Sequence, residues 1–336
     1  MKKHSNIPLI FLFLALMIKG QAQTLRLEIK TIVDSMAKDN MLKSSAVGYS
    51  GVRTKQWDNF EKLKKTATNK ELMYLTTHKN EVVRCYSFQA LAARKDKDIF
   101  PILLEHINDT AQVTTFQGCV ISSQTVGDYF LDVVTPQYID NDLYKLSQKQ
   151  KTIIDSLLVF DKKIRIEAKY TLLNHLKPIS KYYNRIREIA RTEKSPVSIL
   201  ALSRYKNKND IPTIKTLFEN EKTEYYGIYS AREFSDSIFY PFLIKIFERE
   251  WLDTLYDYAK WRILYQALAK YPNQTTYKLF ERTTKTKDDF RYQTLGKYLL
   301  IATTKYPNPI FEPLKRDMKL DKYHLDGVES ELEIEK

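Results

Sequence analysis

Aromatic side chains with basic neighbours are the residues of this chain most suited to holding a ligand. Tyr182 and Tyr183 are adjacent, as are Tyr225 and Tyr226, and Tyr229 follows the second pair within one helical turn. Tyrosines interleaved with lysine and arginine can bind single-stranded nucleic acid or acidic segments of a protein. At helical spacing the same residues also pack between helices, so both roles stay open.

Asp128 and Tyr129 form a second candidate site, in a stretch where the helical pattern breaks. Asp128 follows Gly127 there, and Tyr129 comes next. An aspartate at this place can contact a ligand or act as an acid. It can also cap a helix, because its oxygen accepts a hydrogen bond from a free main-chain amide. The sequence favours the cap, and the ligand-binding role stays open.

The sequence carries none of the common catalytic or phosphate-binding motifs. It has no HExxH, GxSxG, P-loop or GxGxxG, and its 8 glycines leave little material for a loop that cradles phosphate. No CxxC pair is present, and the spacing of His78 and His106 relative to Cys85 and Cys119 matches no zinc-ligand pattern. We therefore predict no catalytic residue, no cofactor and no metal site, and we lean towards a protein that is not an enzyme.

The chain carries an excess of basic residues that is spread along it rather than gathered in one arm, although residues 321–336 are acidic. It holds 54 lysines and arginines against 41 aspartates and glutamates, which gives a formal net charge of +13. A positive field attracts acidic partners, whether nucleic acid, anionic lipid head groups or an acidic protein surface. Lysine-rich helix faces also serve simply to keep a protein in solution, so the charge alone does not select a partner.

Residues 1–22 have the pattern of a secretory signal peptide. Lys2 and Lys3 precede an apolar run over residues 7–18, and small residues at positions 20 and 22 suit a cleavage site. The run is too short to span a membrane, and no other apolar stretch approaches the length of a span. We expect the signal to be removed and the mature protein, without a transmembrane segment, to be periplasmic or secreted.

Apolar residues recur every three to four positions along most of the chain, which predicts helices. The helices come in pairs that repeat: ALAKYPN at residues 267–273 matches ATTKYPN at residues 302–308, an offset of 35 residues. In both copies the proline blocks the preceding helix and suits the first turn of the next one. A period near 35 residues with two helices per unit predicts a stacked α-solenoid.

The stretch over residues 78–107 resembles HEAT repeats, particularly the short HEAT-like type. The positions that carry the resemblance hold Asn80, Val83, Arg84, Ser87, Ala90, Leu91, Asp98 and Ile99. Ser87 stands where the family has alanine. The resemblance implies an all-α fold, an α-α superhelix in which paired helices stack into a HEAT-like solenoid. It also implies a scaffold that binds other proteins, which is the chief role of this family.

The solenoid pattern is interrupted over residues 108–138, where β-branched residues, glycine and serine are frequent. This irregular insertion could be a long loop, a small hairpin or a distorted pair of helices, and such insertions often carry binding. Residues 40–57 are a second stretch without the repeat. The expected organisation is a signal peptide (1–22), an N-terminal helical cap or linker (23–68), the HEAT-like solenoid (69–320) with its insertion (108–138), and an acidic flexible tail (321–336).

Cys85 and Cys119 lie about one repeat apart in the sequence. In an exported protein an even number of cysteines can form a disulfide, and adjacent repeats could bring these two together. We favour two separate buried thiols, because a chain of this length does not need the cross-link.

Together these features predict an exported, non-enzymatic scaffold that binds another protein, with an acidic partner favoured by the charge. One alternative is a polyanion-binding protein, whose ligand would be a glycan, a lipid head group or a nucleic acid. The other is a HEAT-fold enzyme of the DNA-glycosylase type, which the family resemblance brings into consideration. The signal peptide argues against genomic DNA as a substrate.

Overall fold

The computed structural model describes residues 25–135, 143–253 and 255–334. Residues 1–22, the expected signal peptide, lie outside these ranges. The chain folds as two compact units, residues 1–150 and 151–336. Helices dominate both units, which confirms the predicted all-α, solenoid-like fold, and the described residues add one small sheet. Among the described helices, none combines the length and the apolar content that crossing a membrane requires.

The first unit combines helices with three strands. Its elements in chain order are α1 (Leu27–Asp39), β1 (Leu42–Val47), α2 (Lys55–Thr66), α3 (Asn69–Leu75), α4 (Glu81–Ala93), α5 (Ile99–His106), β2 (Gln112–Gly118), β3 (Val120–Thr125) and α6 (Val126–Val134). Helix α4 packs against α1, α2, α3 and α6. Ten of its thirteen residues are buried, because its apolar and small side chains surround the helix instead of forming one stripe.

The sheet arises from the two stretches that lack the helical repeat. β1 pairs in parallel with β2, and β2 pairs with β3 as an antiparallel hairpin. Of the three forms open for residues 108–138, the hairpin is therefore present over residues 112–125, and helix α6 follows it directly. Residues 136–138 lie outside the described ranges.

A tyrosine of α4 ties β1 to the helices. The phenol oxygen of Tyr86 accepts a hydrogen bond from the main-chain N–H of Lys43 at 2.7 Å and donates one to the carbonyl oxygen of the same residue at 2.9 Å. The side chain thus satisfies both main-chain groups of one strand residue, as a neighbouring strand would do.

The two cysteines are free thiols in different surroundings. Cys85 is buried in α4, whereas Cys119 is exposed in the turn between β2 and β3. The thiols are separate, as we favoured, but the expectation that both are buried is wrong for Cys119. The reason is its place in the hairpin turn, where the flanking residues Gly118 and Val120 are exposed as well.

The second unit is built from helices. They are α7 (Gln148–Phe160), α8 (Glu167–His175), α9 (Tyr183–Thr192), α10 (Pro196–Ser203), α11 (Ile211–Lys215), α12 (Glu221–Glu233), α13 (Tyr240–Leu252), α14 (Tyr258–Ala269), α15 (Gln274–Lys285), α16 (Asp289–Lys305), α17 (Glu312–Asp317) and α18 (Lys322–Ile334). The division between the two units falls in the first turn of α7.

The even-numbered helices α8 to α18 form a continuous row, which we call the even row. In it α8 packs on α10, α10 on α12, α12 on α14, α14 on α16 and α16 on α18. The odd-numbered helices pack against this row, with α9 on α10, α13 on α14 and α15 on α16. One hydrophobic cluster runs from α8 to α18. Helix pairs are therefore stacked side by side, as the repeat predicts.

The two copies of the matching segment occupy equivalent places in this stack. Tyr271 and Tyr306 follow α14 and α16 of the even row. Asn273 then caps α15, and Asn308 caps the short 3-10 turn before α17. The phenol of Tyr271 donates to the carbonyl oxygen of Asp236, 35 residues earlier, at 2.9 Å. The sequence period therefore corresponds to one helix pair.

Residues 322–334 of the segment that we expected to be a flexible acidic tail form helix α18, which packs on α16. Val328 is 9% exposed and belongs to the hydrophobic cluster. Glu331 pairs with Arg262 of α14. This helix is held on the unit because one of its apolar residues is buried and one of its carboxylates is the counterion of an arginine.

Candidate functional site

Two of the predicted tyrosines, Tyr225 and Tyr226, line a cleft in the second unit. The cleft has a volume of about 310 Å³ and lies among the even-row helices α8, α10, α12 and α14. The side chains that determine its chemistry are Tyr225, Tyr226, Tyr229, Arg232, Arg262 and Gln266. It therefore combines an aromatic wall with basic and amide groups.

Helix α12 supplies the aromatic wall because its three tyrosines fall on one face of the helix. The ring centre of Tyr225 lies 5.6 Å from that of Tyr226, edge to face, and 6.4 Å from that of Tyr229. Gly227 lies on the opposite face of α12 from Tyr225 and Tyr229. A Cβ atom there would lie 3.1 Å from the ring of Phe218, so the glycine allows α12 to lie close to that ring.

Arg232 connects the aromatic wall to helix α14. Its guanidinium lies over the ring of Tyr229 at 4.2 Å from the ring centre. Its Nη1 donates to Oε1 of Gln266 at 2.6 Å, and its Nη2 donates to Oε1 of Glu233 at 2.9 Å. The side chain is 12% exposed, and its Nε is buried and makes no hydrogen bond within the described residues. This arginine is thus fixed in place with donor capacity left over.

Gln266 joins cations from two other helices. Its side chain is 1% exposed, and its Oε1 accepts from Nη1 of Arg232 on α12 and, at 3.5 Å, from Nζ of Lys305 on α16. Burial lowers the pKa of Lys305, and the charges of Arg232 and Arg262 lower it further. A carboxamide is neutral, so Gln266 orients the two cations without cancelling their charge.

Successive helices of the even row each contribute one cation near the cleft. Arg204, at the end of α10, donates to the carbonyl oxygens of residues 173 and 174 at 2.9 and 2.6 Å. Arg232, Arg262 and Lys305 follow on α12, α14 and α16. Among the described residues, Glu233 lies beside Arg232 and Glu331 pairs with Arg262. The stacking of the even row thus brings cations of four helices into one region.

The other predicted tyrosine pair is not part of the cleft. Tyr182 is buried, and its phenol shares a hydrogen bond with Oγ of Ser156 at 3.2 Å. The phenol of Tyr183 donates to Oδ2 of Asp210 at 2.8 Å and accepts from Nδ2 of Asn207 at 2.7 Å. Both side chains hold neighbouring segments together, which is the packing role that stood as the alternative.

Asp128 and Tyr129 belong to the first unit, where both are buried in α6. The residue that caps α6 is Thr125, whose Oγ1 accepts from the main-chain N–H of Asp128 at 3.1 Å. Asp128 lies in the first turn and accepts from the Thr125 hydroxyl at 2.6 Å, so our assignment of Asp128 as the cap is off by three residues. The phenol of Tyr129 donates to Oε1 of Gln89 at 2.8 Å.

The histidines considered as metal ligands have other contacts. Nδ1 of His78 accepts from the main-chain N–H of Asn80 at 3.1 Å. The ring of His106 lies 5.3 Å from that of Phe130, and its Nδ1 is 3.7 Å from Asp109. Within the ranges that the structure describes, no three His, Cys, Asp or Glu side chains are grouped so as to hold a metal ion.

The sequence search missed four residues near the cleft: Arg232, Arg262, Gln266 and Lys305. A signal existed for the arginines, because Arg204, Arg232 and Arg262 recur about every 30 residues. No such signal marks Gln266, whose importance depends on which side chains the fold places around it.

Comparison with known proteins does not identify the function of the site. No model of a protein family matches the chain, and the searches found no curated protein and no solved structure similar to it. The chemistry of the cleft is accordingly that of its own side chains. Tyrosine faces offer stacking and hydroxyl hydrogen bonds, and guanidinium groups bind carboxylates or phosphates with two parallel donors.

Proposed function

We propose that this protein is an exported, non-enzymatic scaffold of the HEAT-like type that binds an acidic segment of another protein in the cleft of the second unit. The observation that carries the proposal is the combination of a tyrosine wall with the guanidinium groups of Arg232 and Arg262 in one cleft. Tyrosine and arginine are enriched at the centres of protein interfaces, where they contribute most of the binding energy.

The even row supports the choice of an extended ligand. Each of its helices from α10 to α16 brings one cation to the same region. A stack of helix pairs repeats its side chains at regular intervals, and such surfaces suit long, segmental ligands. A peptide with acidic side chains therefore matches the charge and the layout better than a compact neutral molecule.

The lining does not suit catalysis by a pair of carboxylates. The described residues that line the cleft include no carboxylate. Hydrolysis of a glycosidic bond commonly uses two carboxylates as general acid and base, and the described lining provides no such pair.

A polyanion remains the second candidate ligand, because the net charge of the chain is +13 and basic surfaces attract any polyanion.

Fluorescent peptides of one length and three charge types test the proposal. Anisotropy titrations would compare an acidic peptide, its charge-reversed counterpart and a neutral one. We expect the acidic peptide to bind best and the double substitution Tyr225→Ala with Tyr226→Ala to weaken it roughly tenfold, since interface tyrosines contribute strongly. Tyr323→Ala is the matched control, because that tyrosine is 80% exposed on α18 and does not line the cleft.

Two results would count against the proposal. One is equal binding of the acidic and charge-reversed peptides. The other is tighter binding of heparin or single-stranded DNA than of any acidic peptide, with a steep loss of affinity as salt rises, which would favour the polyanion function.

Export is part of the proposal and rests on the pattern of residues 1–22. Mass spectrometry of the mature N-terminus, together with fractionation of the producing cells, measures it directly. A mature chain that starts near residue 23 in the exported fraction is the expected result. An intact Met1 in the cytosolic fraction would contradict export and leave the binding proposal untouched.

A further inference from the structure

Strand β3 is an edge of the three-stranded sheet in the first unit. The strand order is β1, β2, β3, so within the described residues β3 pairs with β2 alone. Residues 120–123 are exposed, with Val120 at 64% and Ile121 at 61%. An open edge presents unpaired main-chain N–H and C=O groups, and another strand can add to it through those groups.

The alternation of the β2–β3 ladder identifies the unpaired groups. Val126, the residue after β3, donates its main-chain N–H to the carbonyl oxygen of Ala111 at 3.0 Å, in the register that β2 and β3 share. In an antiparallel pair, successive residues direct their main-chain groups alternately towards the partner strand and away from it. The N–H and C=O groups of Ile121 and Ser123 therefore face away from β2. Thr125, the next in this series, is buried, so Ile121 and Ser123 are the residues that a partner can reach.

The opposite edge of the sheet is closed. Both main-chain groups of Lys43 in β1 are bonded to the phenol of Tyr86. Val47 forms a bridge with Val52, and the register of β1 on β2 shifts between Lys43 and Val47. Natural sheets protect their edges by such irregularities, by prolines or by charged side chains. β3 has none of these, because its register on β2 is regular over six residue pairs and residues 110–127 include no proline and no charged residue.

The free groups of β3 are complementary to those of an identical strand. If two copies of β3 lie antiparallel with Ser122 facing Ser122, Ile121 of each copy pairs with Ser123 of the other. Each free N–H then meets a free C=O of the other copy across a two-fold axis. The pairing also removes the exposed side chains of Val120 and Ile121 from water.

The distribution of charge supports the same partner. The chain has a formal net charge of +13, so two copies repel each other over much of their surfaces. Residues 110–127 carry no charge, and two copies can meet there without bringing like charges into contact. The hairpin is thus a place where an identical chain can dock.

We propose that β3 is a homodimer interface, at which two copies of the chain pair their β3 strands antiparallel about Ser122 and join two three-stranded sheets into one. The interface belongs to the first unit. The proposal does not rest on the peptide-binding cleft, which helices of the second unit form.

Sedimentation equilibrium of the purified protein at several concentrations tests the pairing. We expect a dimer that dissociates on dilution. Ile121→Lys should raise the dissociation constant at least roughly tenfold, because it replaces an apolar contact by a charge that both copies carry. Val52→Lys is the matched control, since Val52 is 57% exposed but lies beside the closed edge. A monomer at all concentrations up to about 100 µM, or an Ile121→Lys variant that dimerises like the wild type, would overturn the proposal.

Ser123→Pro tests the main-chain bonds separately from the side chains. The N–H of Ser123 faces away from β2, so proline should leave the hairpin intact, which thermal unfolding checks. We expect the dimer to weaken roughly tenfold, because each copy loses one donor. Ser123→Ala is the matched control, since it loses the same hydroxyl and keeps the N–H. Equal dissociation constants for these two variants would contradict pairing through the main chain.

Spin labels on Cys119, the exposed thiol of the hairpin turn, report the register. In the proposed pairing the two Cys119 residues lie about six residue steps apart along the strands, which is about 20 Å at roughly 3.4 Å per residue. Pulsed dipolar spectroscopy of the dimer should give one distance distribution near this value. A separation above about 35 Å, which this register does not allow, would refute the pairing.

A strand from a different protein is the other possible occupant of the edge, and amide hydrogen exchange distinguishes it. Protection of the Ile121 and Ser123 amides that grows with the concentration of the protein alone supports the dimer. A monomeric protein in which the same amides become protected only by an added uncharged valine–threonine peptide would exclude a second copy as the occupant.

Discussion

The phenol of Tyr183 donates a hydrogen bond of 2.8 Å to Asp210, a carboxylate that is 0% exposed. Arg187 supplies the countercharge through its Nε at 2.7 Å. Arg191, also on α9, lies 3.9 Å from the same carboxylate. Asp210, at the start of α11, is therefore held between two cations of α9 and one neutral donor. Tyr183, a candidate ligand contact in the sequence, has a structural task instead.

Tyr183→Phe should lower the stability of the second unit without changing ligand affinity. The substitution leaves Asp210 buried with one donor fewer, which costs about 1–2 kcal/mol. Urea unfolding measures the loss, and peptide anisotropy measures the cleft. Tyr323→Phe, at an exposed site, is the control. A loss of affinity with unchanged stability would show that Tyr183 contacts the ligand after all.

Acid should destabilise the first unit through Glu71. Arg26 and Thr68 donate to this carboxylate and lower its pKa from 4.5 to about 2. The folded state therefore binds fewer protons than the unfolded chain, so this stabilisation is complete above pH 4.5 and is lost as the pH falls towards 2. Between about pH 5 and about pH 2.5 the melting temperature of Glu71→Gln should fall less than that of the wild type. Circular dichroism at a series of pH values measures this difference. Parallel profiles would refute this assignment.

Substitution by alanine at two helical glycines should change the stability of the protein in opposite directions. A Cβ on Gly127 would lie 2.7 Å from the main-chain oxygen of Ile107. Because main chain cannot give way easily, Gly127→Ala should destabilise by about 1–3 kcal/mol. On Gly327 the Cβ would lie 3.3 Å from Cδ of Lys297, a mobile side chain, and the better helix propensity of alanine should stabilise by up to about 1 kcal/mol. Equal effects in urea unfolding would contradict the packing described for α6.

The two thiols should differ in reactivity. Cys119 is exposed, whereas Cys85 is buried and its burial raises its pKa well above the usual range. A chromogenic thiol reagent should react quickly with Cys119 of the native protein and should react with Cys85 only after denaturant is added. Cys119→Ser should remove the fast phase. Two fast thiols in the native protein would contradict the burial of Cys85.

The fold class was accessible from the sequence because helices repeat their apolar residues locally. The offset between Tyr271 and Tyr306 gave the length of a helix pair, and the prolines that follow these tyrosines explain why α14 and α16 end there. The parallel pairing of β1 with β2 joins Leu42 to Thr115. No local pattern encodes such a distant partner, so the sheet could be anticipated only as a break in the helical signal.

The site was accessible only in part. Tyr182 with Tyr183 and Tyr225 with Tyr226 give the same signal in sequence, but only the second pair lines the cleft. The difference lies in tertiary packing, which decides which face of a helix is covered. Arg232, Gln266 and Lys305 come from three different helices, and their meeting depends on the stacking of the even row.

The even row also determines the order in which the helices of the second unit unfold. An inner helix such as α14 is held from both sides, by α12 and α16, whereas among the described helices α18 has a neighbour in the row on one side only. In a linear array, stability is close to a sum of terms for each unit and each junction. Unfolding should therefore begin at the end and advance helix by helix, and amide hydrogen exchange should be fastest in α18 and slowest in the middle of the stack.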